Sequence, residues 1–108
     1  MPLSEKKCTP CEGGVAPLTD TKIHDYLQQL QDWSLGTDKK HITKTFHFKN
    51  YYHTMAFVNA TAWISHQENH HPDLAVFYNR CEVTYTTHAA KGLTENDFIC
   101  ATKIDALS

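Results

Sequence analysis

No long hydrophobic run is present in this chain. The longest apolar stretch, Leu74-Ala75-Val76-Phe77-Tyr78, falls far short of the ~20 residues that cross a bilayer, which sets a membrane protein aside. An excess of one charge is missing too: ten Lys and Arg face twelve Asp and Glu, for a net charge of −2 and a pI near 6.4. Without a basic field there is nothing sequence-wide to hold nucleic acid. The first residues, Met-Pro-Leu-Ser-Glu-Lys-Lys, lack the apolar stretch of a secretory signal. Cysteine is limited to Cys8, Cys11, Cys81 and Cys100, too uneven a set for a dense disulfide framework. A cytoplasmic protein with reduced thiols is the expectation. What remains is 108 residues, 41% apolar and 20% charged, the profile of one globular domain rather than a disordered or fibrous chain.

Cys8-Thr9-Pro10-Cys11 has the spacing of a zinc half-site, and His24 follows after twelve intervening residues. The second histidine of such a site belongs three to five residues further on, where Gln28, Gln29 and Leu30 stand. A redox role for the pair wants a preceding strand in a βαβ unit, and none is visible. Residues 1–18 hold three of the four prolines and two of the four glycines. They read as an extended leader packed loosely on the domain, which then occupies residues 19–108.

Within that domain Thr19 or Asp20 caps a first helix, with Ile23, Tyr26, Leu27 and Leu30 on one stripe and an end near Asp32. Trp33–Gly36 is a short strand, Thr37–Lys40 a polar turn. Ile42, Phe46 and Phe48 then alternate with polar residues in a strand over 41–49, Lys44 being the exception. A second helix is expected from about Tyr51 to His70, with Phe57, Ala60 and Ile64 joined by Ala56 and Trp63, and Pro72 ending it. Leu74, Val76 and Tyr78 alternate in a third strand and Cys81, Val83 and Tyr85 in a fourth, joined near Asn79-Arg80 as a hairpin. Thr94 and Asp97 form a near capping box before a helix carrying Phe98, Ala101 and Ile104. The order α-β-β-α-β-β-α implies an α+β fold, a four-stranded antiparallel sheet with three helices on one face. The opposite face or a sheet edge must be polar or covered by another subunit, which makes a homo-oligomer the expectation.

Three of the eight histidines crowd into His66-Gln67-Glu68-Asn69-His70-His71-Pro72. A zinc protease helix would read H-E-x-x-H. Here the glutamate falls one residue late, about 100° round the helix. His66 and His70 remain an i, i+4 pair, and with His88 they could make a three-histidine metal site. The other reading is acid–base chemistry. His70, in the last turn of the helix, would have its cationic form favoured by the negative end of the macrodipole. Pro72 should push His71 out of the helix so that both rings can line one pocket, with His88 supplying a third. Surface histidines ending a solvated helix are the plain alternative.

Taken together, His66, His70-His71-Pro72 after three intervening residues, Tyr78 after five, His88 after nine more and Asp97 after eight resemble the signature of the pterin-4a-carbinolamine dehydratase family. The likeness runs from about Leu18 to Leu107, and the leader with Cys8 and Cys11 resembles those of bacterial members. It implies removal of water from a 4a-hydroxytetrahydropterin such as 4a-hydroxytetrahydrobiopterin, without metal or organic cofactor. It also implies a homodimer or homotetramer and a link to an aromatic amino-acid hydroxylase; no nucleic-acid or membrane partner is expected from the charge and hydropathy already described. By position the catalytic trio is His70, His71 and His88. His70 and His88 would be proton donors, and His71 would mainly bind or orient. His66, Asn69, Thr86 and Thr87 would border the pterin, Thr86 through its backbone. Asp97 would accept a histidine's other ring proton, with Tyr78 also in support behind the site. Many relatives carry carboxylates where His66 and Asn69 stand. Animal relatives also serve as dimerisation cofactors for a homeodomain transcription factor, so a binding role is the alternative.

Overall fold

Alternation and capping residues turn into elements much as their chemistry demands. A computed structural model describes residues 2–9 and 15–107; Cys11 lies outside them. The elements are α1 (Asp20–Leu27), β1 (Ser34–Leu35), β2 (Ile42–His47), α2 (Tyr51–Glu68), β3 (Asp73–Val76), β4 (Arg80–Tyr85) and α3 (Glu95–Asp105), in the expected order. The strands form one antiparallel sheet in the order β1-β2-β4-β3. Central β2 and β4 pair from Ile42 opposite Tyr85 to His47 opposite Arg80. Their inward residues Ile42, Phe46, Cys81, Val83 and Tyr85 are buried beneath the helices.

Lys44 shares that inward face without violating it. Its side chain is mostly covered, and its amine lies 4.7 Å from the centroid of the Phe46 ring and reaches Asp105 of α3 at 2.8 Å. The same carboxylate accepts the Trp33 indole N–H at 3.1 Å. The stem is thus covered while the charge is paired.

Several boundaries differ from expectation. Helix α1, capped by Thr19 as foreseen, stops at Leu27 rather than near Asp32. Gln29 and Leu30 instead close tight turns onto Tyr26 and Leu27, and Asp32 takes a left-handed conformation. These turns bring Trp33 back into the core. On α2 the buried positions are Thr54, Phe57 and Thr61, whereas Ala56 and Trp63 face outward. The threonines tolerate burial because the Thr54 hydroxyl donates to the Asn50 and Tyr78 carbonyls and that of Thr61 to Val58. The expected β3 stripe shrinks to Leu74. Val76 is largely outside the core, and Tyr78 stands in the hairpin turn, 65% exposed. Strand β3 is an edge strand, and the helices cover its inner neighbours rather than its far end.

The leader is packed more closely than expected over the residues described. Leu3, in a short 3₁₀ turn, is 2% exposed against α3. With this cover, α3 is buried nearly all round. Lys6 pairs with Glu95 at 3.0 Å, and Tyr26 of α1 donates its hydroxyl to the same carboxylate at 2.6 Å. That bond, more than any other contact, holds the Glu95 carboxyl below the usual carboxylate range and pushes the Tyr26 phenol up to about 12.

A carboxyl held low stabilises the fold above its unfolded-state value, and the contribution is lost as pH falls through the lowered folded-state value. Replacing Glu95 by Gln should therefore lower stability at pH 7 by about 0.5–1 kcal/mol, limited by the solvent around the half-exposed pair. Urea unfolding should show the gap between variant and parent closing as pH is taken below ~4.

Candidate active site

Asn50 caps the start of α2; its other end is set by Asn69. Asn69 adopts the left-handed conformation that asparagine tolerates better than most residues. The backbone N–H of His70 then bonds to the Ser65 carbonyl at 3.1 Å, closing the helix end. The chain leaves the helix at Asn69, so Pro72 is not what stops it, and His70 is not in the last turn. The expected influence of the helix dipole on His70 gives way to a direct partner.

That partner is Asp97, the third residue of α3. Its carboxylate is fully buried and meets the His70 Nε2 at 2.6 Å. Its second oxygen accepts the Thr87 hydroxyl at 2.8 Å and the Thr94 N–H at 3.0 Å. Thr94 and Thr87 hydroxyls are themselves 2.8 Å apart. A carboxylate only accepts, so His70 must donate from Nε2, and Nδ1 is the ring nitrogen left free of Asp97. The imidazole also lies parallel to the buried Tyr85 ring, with centroids 5.7 Å apart. One face and one edge of His70 are thus fixed.

His88 comes from the loop after β4. Thr87 pairs with Gly92 as an isolated bridge, pinching the loop so that the 3₁₀ turn His88–Ala90 stands at its tip. The Thr86 hydroxyl is tied to the Lys40 carbonyl. Thr87 is buried, its hydroxyl engaged with Asp97.

These segments surround a cleft of about 490 Å³, within the range of small-molecule sites. His70, His71, His88, Asn69, Thr86 and Thr87 all line it, as the sequence anticipates. Asp97 lies directly behind His70. Two anticipated residues do not join them. His66 is exposed on α2 beside Trp63, ring centroids 6.2 Å apart, and Tyr78 is at the hairpin turn, the opposite end of β4 from Thr86. His66, His70 and His88 do not converge, and no group of three His, Cys, Asp or Glu side chains among the described residues is placed to hold a metal ion.

Sequence reading missed the cleft's other wall. Glu68 lines it together with Cys8, Thr9 and Asn96. The Cys8 N–H donates to Glu68 at 2.8 Å, while Thr9 and Asn96 exchange backbone-to-side-chain bonds of 3.1 and 2.7 Å. Cys8 and Cys100 sulfurs lie 3.5 Å apart, and this contact together with burial pushes the Cys8 thiol up. No local pattern links residues so far apart in the chain.

The family model described as pterin 4 alpha carbinolamine dehydratase matches residues 16–107. The chain belongs to the pterin-4-alpha-carbinolamine dehydratase family. Bacterial relatives provisionally given that dehydratase name include one from Nitrosomonas eutropha, 60% identical, the match covering 97% of this chain and 92% of that one. Another, from Legionella pneumophila, is 56% identical, with 97% and 94% covered. The crystal structure of a transcriptional coactivator/pterin dehydratase from Brucella melitensis superposes with a TM-score of 0.81 at 32% identity, covering 84% of this chain and 97% of that one. A pterin dehydratase-like protein identified as a RuBisCO assembly factor in the alpha-carboxysome, 24% identical with a TM-score of 0.62 and 71% and 89% coverage, shares the fold. The dehydratase family match takes in all three cleft histidines and Asp97. Cys8 and Thr9 precede it.

Asp97→Asn should expose how much of the cleft hangs on one carboxylate. An amide oxygen can replace only one of the two acceptor atoms, and its NH₂ would then face a donor. Loss of about 1–3 kcal/mol in urea unfolding is expected, against near-neutral behaviour of Asp25→Asn on the exposed face of α1.

Proposed function

We propose that the chain is a hydro-lyase that converts a 4a-hydroxytetrahydropterin, such as 4a-hydroxytetrahydrobiopterin, to the quinonoid dihydropterin. The observation that carries this reading is the gathering of His70, His71 and His88 round one cleft, with His70 held from behind by a buried carboxylate. In the reaction the C4a–O bond breaks, the hydroxyl takes a proton and leaves as water, and N5 gives up its proton as the C4a–N5 double bond forms. Two proton transfers balance the step, so no electron acceptor or other co-reactant is needed. Imidazoles suit both transfers near neutral pH. His70 and His88 are the proton donors in this proposal, His70 through Nδ1 as the imidazolium, and the imidazole left neutral by the donation takes up the proton from N5. His71 orients the ring, and Asn69 and the Thr86 backbone border it. Thr87 acts through Asp97, since its hydroxyl is already engaged there.

The cellular setting belongs to the same proposal: recycling of a tetrahydropterin after aromatic amino-acid hydroxylation, in the cytoplasm. No helix among the described residues is long and apolar enough to cross a membrane. Association as a homodimer or homotetramer is supported by aromatic residues left exposed on α2 and after β3, among them Tyr52, Trp63 and Tyr78. The same surface, and the coactivator title of the Brucella relative, favour a second reading in which binding a partner is the main role.

The decay of chemically generated 4a-hydroxytetrahydropterin, followed by ultraviolet absorbance with chelator-treated protein, separates the two. Acceleration should survive the chelator and fall ~10²-fold in His70→Ala and in His88→Ala. No acceleration by folded protein would leave the binding role.

A further inference from the structure

Glu68 is the one acidic side chain among the described residues lining the cleft. It is the last residue of α2, where the negative end of the helix dipole disfavours a carboxylate. No cation pairs with it among the described residues. Its Oε1 is fixed by the Cys8 N–H at 2.8 Å, and the leader that supplies this donor is clasped in turn by Asn96. Oε2 has no protein donor among the described residues. A half-buried carboxylate is therefore anchored through one oxygen at an unfavourable helix position, beside the histidines, with acceptor capacity left over.

The ligand chemistry that matches such a group is a pair of adjacent N–H donors. A 2-amino-4-oxopyrimidine ring presents them along one edge, from its 2-amino group and N3, spaced for both oxygens of a carboxylate. Each ionised oxygen accepts more than one bond, so Oε1 can keep Cys8 while receiving the ligand. The rest of the lining offers imidazoles, amides, hydroxyls and a thiol, none of which accepts twice along one edge. We infer that Glu68 holds the amino-pyrimidine edge of the pterin, and that the leader segment at Cys8 sets its position. This assignment rests on the reading of the cleft as a pterin site. It makes Glu68 the residue that distinguishes a 2-amino pterin from the 2-oxo ring of a lumazine, while the histidines act on the other ring.

Calorimetric titration with 7,8-dihydrobiopterin and with its 2-oxo counterpart tests the inference without requiring turnover. The wild-type protein should prefer the 2-amino ring by ~10–100-fold, the usual worth of a bidentate charged pair against its loss. Glu68→Gln keeps an oxygen for Cys8 but turns donors toward donors. It should weaken the 2-amino ligand by a similar factor, abolish the preference, and raise KM for the 4a-hydroxypterin with kcat changed less than about threefold. Equal binding of the two rings by wild-type protein, or an undiminished preference in Glu68→Gln, would overturn the role of Glu68 and leave the dehydratase reading standing. Wild-type protein that neither binds the pterin nor speeds its dehydration would remove both. The comparison of two ligands on wild-type protein needs no variant to fold.

Discussion

The buried carboxylate of Asp97 is the interaction on which the arrangement of the cleft depends. Removed from water, it must be satisfied by the protein, and it is: the Thr94 N–H, the Thr87 hydroxyl and the His70 ring all donate to it. Those three donors come from the cap of α3, the end of β4 and the segment beyond α2. One charge thereby ties together three parts of the chain that the sheet and helices alone would only bring near one another. It also decides which nitrogen of His70 is committed to the protein and which is available to a ligand.

Around this point the packing is built to keep it still. Tyr85 presents a flat, buried ring under His70, and Cys100 of α3 approaches the His70 carbonyl. Helix α3 is covered on its outer side by the Leu3 turn, so the residue that bears the carboxylate cannot shift without disturbing the core. The leader then continues past Cys8 and Thr9 to form a wall of the cleft. What begins as a loosely composed terminal segment is in this way part of both the core and the site.

Legibility in the sequence followed the physics of each signal. Alternation in β2 and β4 was readable because a sheet with one buried face imposes period two. The α3 capping box was readable as a local motif, and the histidine spacing pointed to residues that line one cleft. The α2 stripe was blurred because Thr54 and Thr61 bury by bonding to carbonyls, which no hydrophobicity pattern records. The end of α2 was placed late because Pro72 is a louder signal than Asn69, though Asn69 acts first. Edge position explains β3, whose apolar residues look inward-facing only if the helix layer is assumed to extend over them. Glu68 was noticed solely as a glutamate at the wrong place for a zinc protease. Its connection to Cys8 spans most of the chain and left no trace in either segment.

The central claim is that Asp97 holds His70 by Nε2 and leaves Nδ1 to the cleft. Long-range proton–nitrogen NMR of the histidine rings in the unliganded protein reads this directly. The account expects the neutral His70 ring as the Nε2–H tautomer, with a slowly exchanging proton shifted by its short bond to the carboxylate. A His70 ring that carries its proton on Nδ1, or that averages freely between tautomers as an exposed histidine does, would contradict it.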